Sequence, residues 1–164
     1  MDAAEKLRAA RRVGLLDPLQ LGATTVGLGR WGPTLAAPYA AAAMRHPGRA
    51  AVIDHRGAVS YGELDRRSSA LAGGLRGLGL AAGDHLGMLC ANHADFVEVS
   101  VAAAKAGLCT VYLNTGFAAP QLGDVLVREG VAALVVDADL VAVAEESGFE
   151  GTVVIADGDA PAHR

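Results

Sequence analysis

The sequence predicts a doubly wound α/β fold: a mostly parallel sheet with helices on both faces, preceded by a small N-terminal hairpin. Three observations predict it. From Arg49 onward, short apolar runs alternate with segments of helical period. The runs are nearly continuous in Val, Leu and Ala, as strands are when both faces of their sheet are covered. Between successive runs lies enough chain for a helical crossover, and such crossovers make neighbouring strands parallel.

Residues 1–47 stand apart as a helical arm and linker, and residues 48–164 as a partial α/β unit. The arm holds a charged helix candidate (Asp2 to Leu16), a Gly-rich link, and an Ala-rich helix ending near His46-Pro47. Pro33 is placed to open that second helix, since its missing N–H is not needed there. Pro38 leaves the extent of its first turns undecided. Ala51 to Asp54 and Ala58 to Ser60 flank a turn at His55-Arg56-Gly57, a small hairpin. Ser60 stands three residues before Glu63, the spacing of a capping box, in which each side chain satisfies the other's backbone N–H. The following helix carries Leu64, Leu71, Leu75 and Leu78 on one face and ends at Gly79.

His85 to Ala91 reads as a strand, after which Asn92 caps a helix with Phe96, Val99, Ala103 and Ala106 inward, stopped by Gly107. Cys109 to Leu113 is the next strand. Pro120 to Glu129 is the next helix, with Leu122, Val125 and Leu126 inward and Gly130 at its end. A strand over Val131 to Val136, a short helix over Asp139 to Glu146 and a strand over Thr152 to Ala156 follow. Asp157 to Arg164 is small and polar, a linker or a cut end. Cys90 falls at the carboxyl end of one strand and Cys109 at the amino end of another. In parallel strands those ends lie ~15–20 Å apart. A disulfide needs Cα atoms within ~7 Å, so both thiols are expected to be free.

A chain of 164 residues is one domain or part of one, and is long enough to bury a core. Aromatic residues make up only 4%, so that core is built from Ala, Leu and Val, which suits helices packed closely on a sheet. The net charge of −4, without a basic stripe, excludes a nucleic-acid binder. Arg8, Arg11 and Arg12 form the densest basic cluster. A solvated helix face is the plainer reading of it, and contact with anionic lipid or a partner the other. No secretory signal and no apolar stretch of ~18 residues is present. With two unpaired cysteines, these features place the chain in the cytoplasm, with a peripheral membrane contact as the variant reading.

Gly27-Leu28-Gly29-Arg30-Trp31-Gly32 matches the dinucleotide-loop pattern G-x-G-x-x-G, with Asp54 at a suitable distance. That loop needs a preceding strand, and Ala23 to Val26 is a poor one, so a flexible link is the favoured reading over a small nucleotide-binding protein. The histidines (His46, His55, His85, His93, His163) show no metal spacing, and no G-x-S-x-G elbow exists. His93 and Asp95 flank a helix start, where structural roles are favoured. Lys6 and Lys105 are the only lysines. Neither follows a Gly-rich loop, so no Walker loop exists, and Lys105 reads as a cation at the negative end of its helix.

Four segments, taken in order, carry a resemblance. Val59-Ser60-Tyr61-Gly62-Glu63-Leu64 resembles the first core motif of the adenylate-forming (AMP-binding) superfamily. Leu80-Ala81-Ala82-Gly83-Asp84-His85-Leu86-Gly87 resembles its GL-x-x-GD-x-V turn into a strand. Asn92-His93-Ala94-Asp95-Phe96 resembles its N-x-x-E-F helix start. Ala104-Lys105-Ala106-Gly107 with Val111 to Leu122 resembles the second core motif in its fatty-acyl version. The resemblance covers about Ala36 to Ala156. It implies the incomplete N-terminal domain of a fatty acyl-CoA synthetase, whose parent uses ATP, Mg²⁺ and coenzyme A on a fatty acid. It also implies that Asn114, Thr115 and Gly116 lie near bound coenzyme A, while a structural turn into the next helix is the alternative. The family's phosphate loop and its lysine, its metal-binding stretch, its ribose-binding Asp and its C-terminal catalytic lysine have no counterpart among these residues. No catalytic residue and no metal ligand is therefore expected here. The chain alone is expected to be inactive and, with an open strand edge, to pair as a homodimer.

Overall fold

The computed structural model describes residues 18–156 together with Asp2, Ala4 and Glu5. Most of the helix expected over Asp2 to Leu16, including Arg8, Arg11 and Arg12, lies outside the described residues, as does 157–164. In chain order the elements are α1 (Pro18–Trp31), α2 (Ala36–Arg45), β1 (Ala50–Asp54), β2 (Gly57–Ser60), α3 (Tyr61–Gly77), β3 (His85–Leu89) and α4 (Ala94–Ala106). β4 (Cys109–Tyr112), α5 (Ala119–Arg128), β5 (Val131–Val136), a 3₁₀ turn (Ala138–Leu140), α6 (Val141–Glu146) and β6 (Thr152–Ile155) follow.

β1 and β2 pair as the antiparallel hairpin. β3 to β6 form a 4-stranded sheet in the order β4-β3-β5-β6, parallel at every pairing. The near-continuous apolar strands are explained by what covers them. Leu86, Met88, Ala133 and Val135 point to one face, against Leu75 of α3 and Val99, Ala102 and Ala106 of α4. Leu89, Leu134 and Val136 point to the other, against Leu122 and Leu126 of α5 and Ala144 of α6. The sequence alternates faces with period two, while both faces are apolar. Both cysteines are free, with Cys109 opposite His85 at the start of its strand and Cys90 just past the end of β3.

Several elements differ from the sequence expectation, each for a physical reason. The Gly-rich link is helical: α1 runs through Gly22, Gly27 and Gly29. Gly27 is what α2 requires, because a Cβ there would meet the Ala37 carbonyl oxygen at 2.7 Å. Close helix packing thus overrides the poor helix propensity of glycine. A helix interior also rules out the G-x-G-x-x-G phosphate loop, which needs a strand-to-helix turn. Pro33 lies ahead of α2 rather than opening it, and Pro38 falls in its first turn, where no N–H partner is lost. Ser60 caps α3 by accepting from the Glu63 N–H at 3.3 Å, but Glu63 turns its carboxylate to Arg67 instead of closing the box. Leu78 ends exposed beyond α3, and Ser68 takes a buried place on the inward face. α4 has His93 at its N-cap position, one residue later than Asn92 and with no capping bond from the His93 side chain, and it ends at Gly107 with φ 80°.

Lys105 is the largest correction. Its side chain, in the last turn of α4, is fully buried against α3 instead of facing solvent at the helix end. Nζ donates to the Asp65 carbonyl at 2.8 Å, to Asp65 Oδ1 at 2.6 Å, and to Ser68 and Ser69 Oγ at 2.9 Å each. The serine hydroxyls donate in turn to the α3 backbone, so every polar atom of this contact is satisfied. Arg76 repays the contact from α3 by donating to the Lys105 carbonyl. Replacing Lys105 by Met is expected to lower unfolding free energy by about 2 kcal/mol in urea titrations, the loss of charge-assisted hydrogen bonds. A change under about 0.5 kcal/mol would mean the cation acts as a surface charge.

Candidate functional site at the carboxyl edge of the sheet

In an open parallel sheet, ligands settle beyond the carboxyl ends of the strands, where neighbouring connections leave for opposite faces. Here that point lies between β3 and β5. The chain leaving β3 enters α4 on one face, and the chain leaving β5 enters α6 on the other.

The crevice is spanned by side chains. Asp137, directly after β5, accepts the Ala91 N–H at 2.7 Å through Oδ2 and the His93 Nε2 proton at 2.9 Å through Oδ1. His93 Nδ1 is buried without a hydrogen-bond partner among the described residues, 3.8 Å from Asp95 Oδ2. Asp95 also accepts from Arg56 Nη1 at 2.9 Å. Arg56 comes from the hairpin turn, and so does Asp54. One carboxylate does two jobs there: Asp54 Oδ1 accepts the Arg56 N–H at 2.8 Å and closes the turn, while Oδ2 accepts the Ala94 N–H at 2.9 Å and caps α4. Hairpin, helix start and both central strands are thereby tied together.

The charge states follow from these contacts. The Ala94 N–H, then the Arg56 N–H, hold the Asp54 carboxyl at about 2. Hydrogen bonding to Asp95 strengthens the hold of Arg56 on its proton. Burial raises Glu98, which faces Arg67 across a rim that also carries Asp95. Burial pushes the Cys90 thiol far up, so it is no nucleophile. A cleft of about 310 Å³ opens beside the hairpin, lined by Asp54, Arg56, Arg67 and Asp95. Arg56 is paired with Asp54 and Asp95 within it, and Arg67 with Glu63 and Glu98 beside it. With its ring largely buried and bonded through Nε2 to Asp137, His93 ties the loop after β3 to the end of β5.

Asn114, Thr115 and Gly116 lie at the same edge, immediately beyond β4, and all three are exposed. Asn114 Oδ1 accepts the Gly116 N–H at 2.9 Å, and the Asn114 carbonyl accepts the Phe117 N–H at 3.1 Å. The three therefore form one tight turn ahead of α5, and among the described residues no hydrogen bond or ion pair joins them to His93 or Asp137. Among the described residues no group of three or more His, Cys, Asp or Glu could hold a metal ion. The donor set does not fit Mg²⁺, and no step is assigned to it. Sequence reasoning missed Asp137 and the Asp54–Arg56 pair; the signal for Asp137 was an acid directly following a buried parallel strand.

The model of the AMP-binding enzyme family matches residues 39–163, and the chain belongs to that family. A feruloyl-CoA synthase of an Amycolatopsis species is 36% identical over 111 residues, 66% of this chain and 21% of that protein. The mitochondrial medium-chain acyl-CoA ligase ACSF2 of Macaca fascicularis is 31% identical over 139 residues, 80% of this chain and 22% of that one. In fold, the chain resembles a benzoate CoA ligase of Burkholderia xenovorans, with a TM-score of 0.73 and 22% identity over 78% of this chain and 27% of that one. The chain spans about a fifth of the length of these curated relatives.

The Asp54 cap has a pH signature. Its carboxyl titrates below the ordinary aspartate value, so its contribution is intact above about pH 4 and is lost as the pH falls through about 2. Asp54→Asn is expected to be less stable than the parent chain at neutral pH, with the deficit narrowing between pH 4 and 2. Urea midpoints across that range measure it, and a deficit constant with pH would show that the charge is not what holds α4.

Proposed function

We propose that this chain supplies the N-terminal α/β portion of an AMP-forming acid–thiol ligase acting on a fatty acid. In that reaction a carboxylate oxygen attacks the α-phosphorus of ATP, with pyrophosphate leaving. The thiol of coenzyme A then attacks the acyl carbon of the mixed anhydride, and AMP leaves. ATP, Mg²⁺ and coenzyme A are the ligands of the whole enzyme. These residues contribute scaffold and, through the exposed Asn114-Thr115-Gly116 turn, part of the wall beside coenzyme A. The observation that carries the reading is the family match, which begins in α2 and runs through every strand of the sheet.

The fatty-acid assignment rests on the fatty-acyl form of the segment Val111 to Leu122. Names among the relatives include both an aromatic and a medium-chain acyl substrate, so the acid belongs to the test. A non-catalytic interaction module built on the same part of the fold is the second reading. The reading frame beyond Arg164 separates the two: a Gly/Thr-rich loop with a lysine supports the ligase, and an early stop supports the module.

The purified 164-residue chain is expected to release no pyrophosphate above a boiled control with ATP, Mg²⁺, coenzyme A and either fatty acids or ferulic acid. Turnover would overturn the scaffold role.

A further inference from the structure

The imidazole of His93 lies between two carboxylates and makes a different contact with each. Nε2 stands 2.9 Å from Asp137 Oδ1. An ionised carboxylate only accepts, so Nε2 carries a proton. In a neutral ring Nδ1 is then a bare lone pair. That nitrogen is buried, has no hydrogen-bond partner among the described residues, and faces Asp95 Oδ2 at 3.8 Å. Two lone pairs turned towards each other repel, and a buried nitrogen without a partner is costly. A second proton on the ring reverses the contact. Nδ1–H is then a donor aimed at an anionic acceptor, and a small turn of either side chain closes the remaining distance.

The groups around the ring leave that acceptor available. Asp137, after β5, is committed to the Ala91 N–H and to Nε2. Asp95, in the first turn of α4, accepts from Arg56 Nη1 through Oδ2, and a carboxylate oxygen has room for a second donor. Asp54, from the hairpin, holds the Arg56 side chain and the Ala94 N–H. Glu98, further along α4, faces Arg67 of α3. The Cys90 thiol, just past β3, lies beside Asp137 and is kept protonated by burial. Among these described groups Arg56 alone competes with His93 for Asp95.

We propose that His93 is a proton-operated latch across the crevice between β3 and β5. With one proton the ring holds Asp137 alone, and the loop after β3 is tied only to the end of β5. With two protons it holds Asp137 and Asp95 together, so the first turn of α4, Arg56 and the hairpin join the same chain of bonds. The proton is taken from water and returned to it. Imidazoles change charge between about pH 5 and 8, so the latch closes on the acid side of that window and releases as the pH rises.

Long-range nitrogen–proton correlation spectra of the isotope-labelled full chain, from about pH 5 to 9, read both ring nitrogens directly. On the alkaline side Nε2 is expected to be protonated and Nδ1 bare. On the acid side both are expected to carry protons, with the Nδ1 proton exchanging slowly with water. Asp95→Asn is expected to speed that exchange about tenfold or more, because the charged acceptor is gone. Opening of the crevice is read separately, by labelling the buried Cys90 with a small maleimide in a Cys109→Ser chain, where the exposed thiol is absent. Relative to the same chain with His93→Gln, labelling is expected to be about tenfold slower on the acid side and equal on the alkaline side. Ring nitrogens that do not change across the range, a rapidly exchanging Nδ1 proton, or a labelling ratio independent of pH would overturn the latch. Should a variant fail to fold, the spectra of the parent chain still separate a bonded Nδ1–H from a bare nitrogen.

Discussion

A helix covered on nearly every side cannot leave its ends and charges to water, and α4 is such a helix. The sheet lies against one side, α3 and α2 against others, and even Ser100 and Lys105 are buried along it. Its polar groups must therefore be answered from within the protein. Asp54 answers the Ala94 N–H at its start, and Asp65 with two serines of α3 answers Lys105 near its end. Both partners come from elements that precede α4 in the chain. The hairpin and α3 are thus as necessary to the α/β layer as the strands are.

This accounts for what was legible in the sequence and what was not. The parallel sheet could be read directly, because period-two burial on two apolar faces leaves unbroken runs such as Val131 to Val136. Helix ends at Gly107 and Gly130 were equally plain, both at positive φ. The residues that misled were those whose role is decided by a distant partner. Gly27 reads as a flexible link until Ala37 is seen to need its missing Cβ. Lys105 reads as a dipole partner until Asp65, distant in the chain, is found beside its Nζ. Asn92 reads as a helix cap, but Asp54 supplies that carboxylate from the hairpin and the helix begins after His93. Of the site, the Asn114 turn was visible because its Asx geometry is local, whereas the Asp137–His93 bridge joins two strand ends remote in sequence.

The bridge also bears on function. Open α/β sheets take ligands at the switch between connections, and here that crevice is filled by the chain's own Asp137, His93 and Asp95. The Asn114-Thr115-Gly116 turn lies exposed at the same edge, beyond a flanking strand. Membership of the AMP-binding enzyme family and a structurally closed switch point are compatible. In this part of the fold the charged groups at the strand ends hold secondary structure in register.

The central claim, that carboxylates from outside α4 fix its start, is tested most directly by amide hydrogen exchange on the intact chain. The Ala91 and Ala94 amides donate to Asp137 and Asp54, so they are expected to exchange as slowly as amides within β3 and β5. Exchange at the rate of an exposed loop, with the strands still protected, would contradict it.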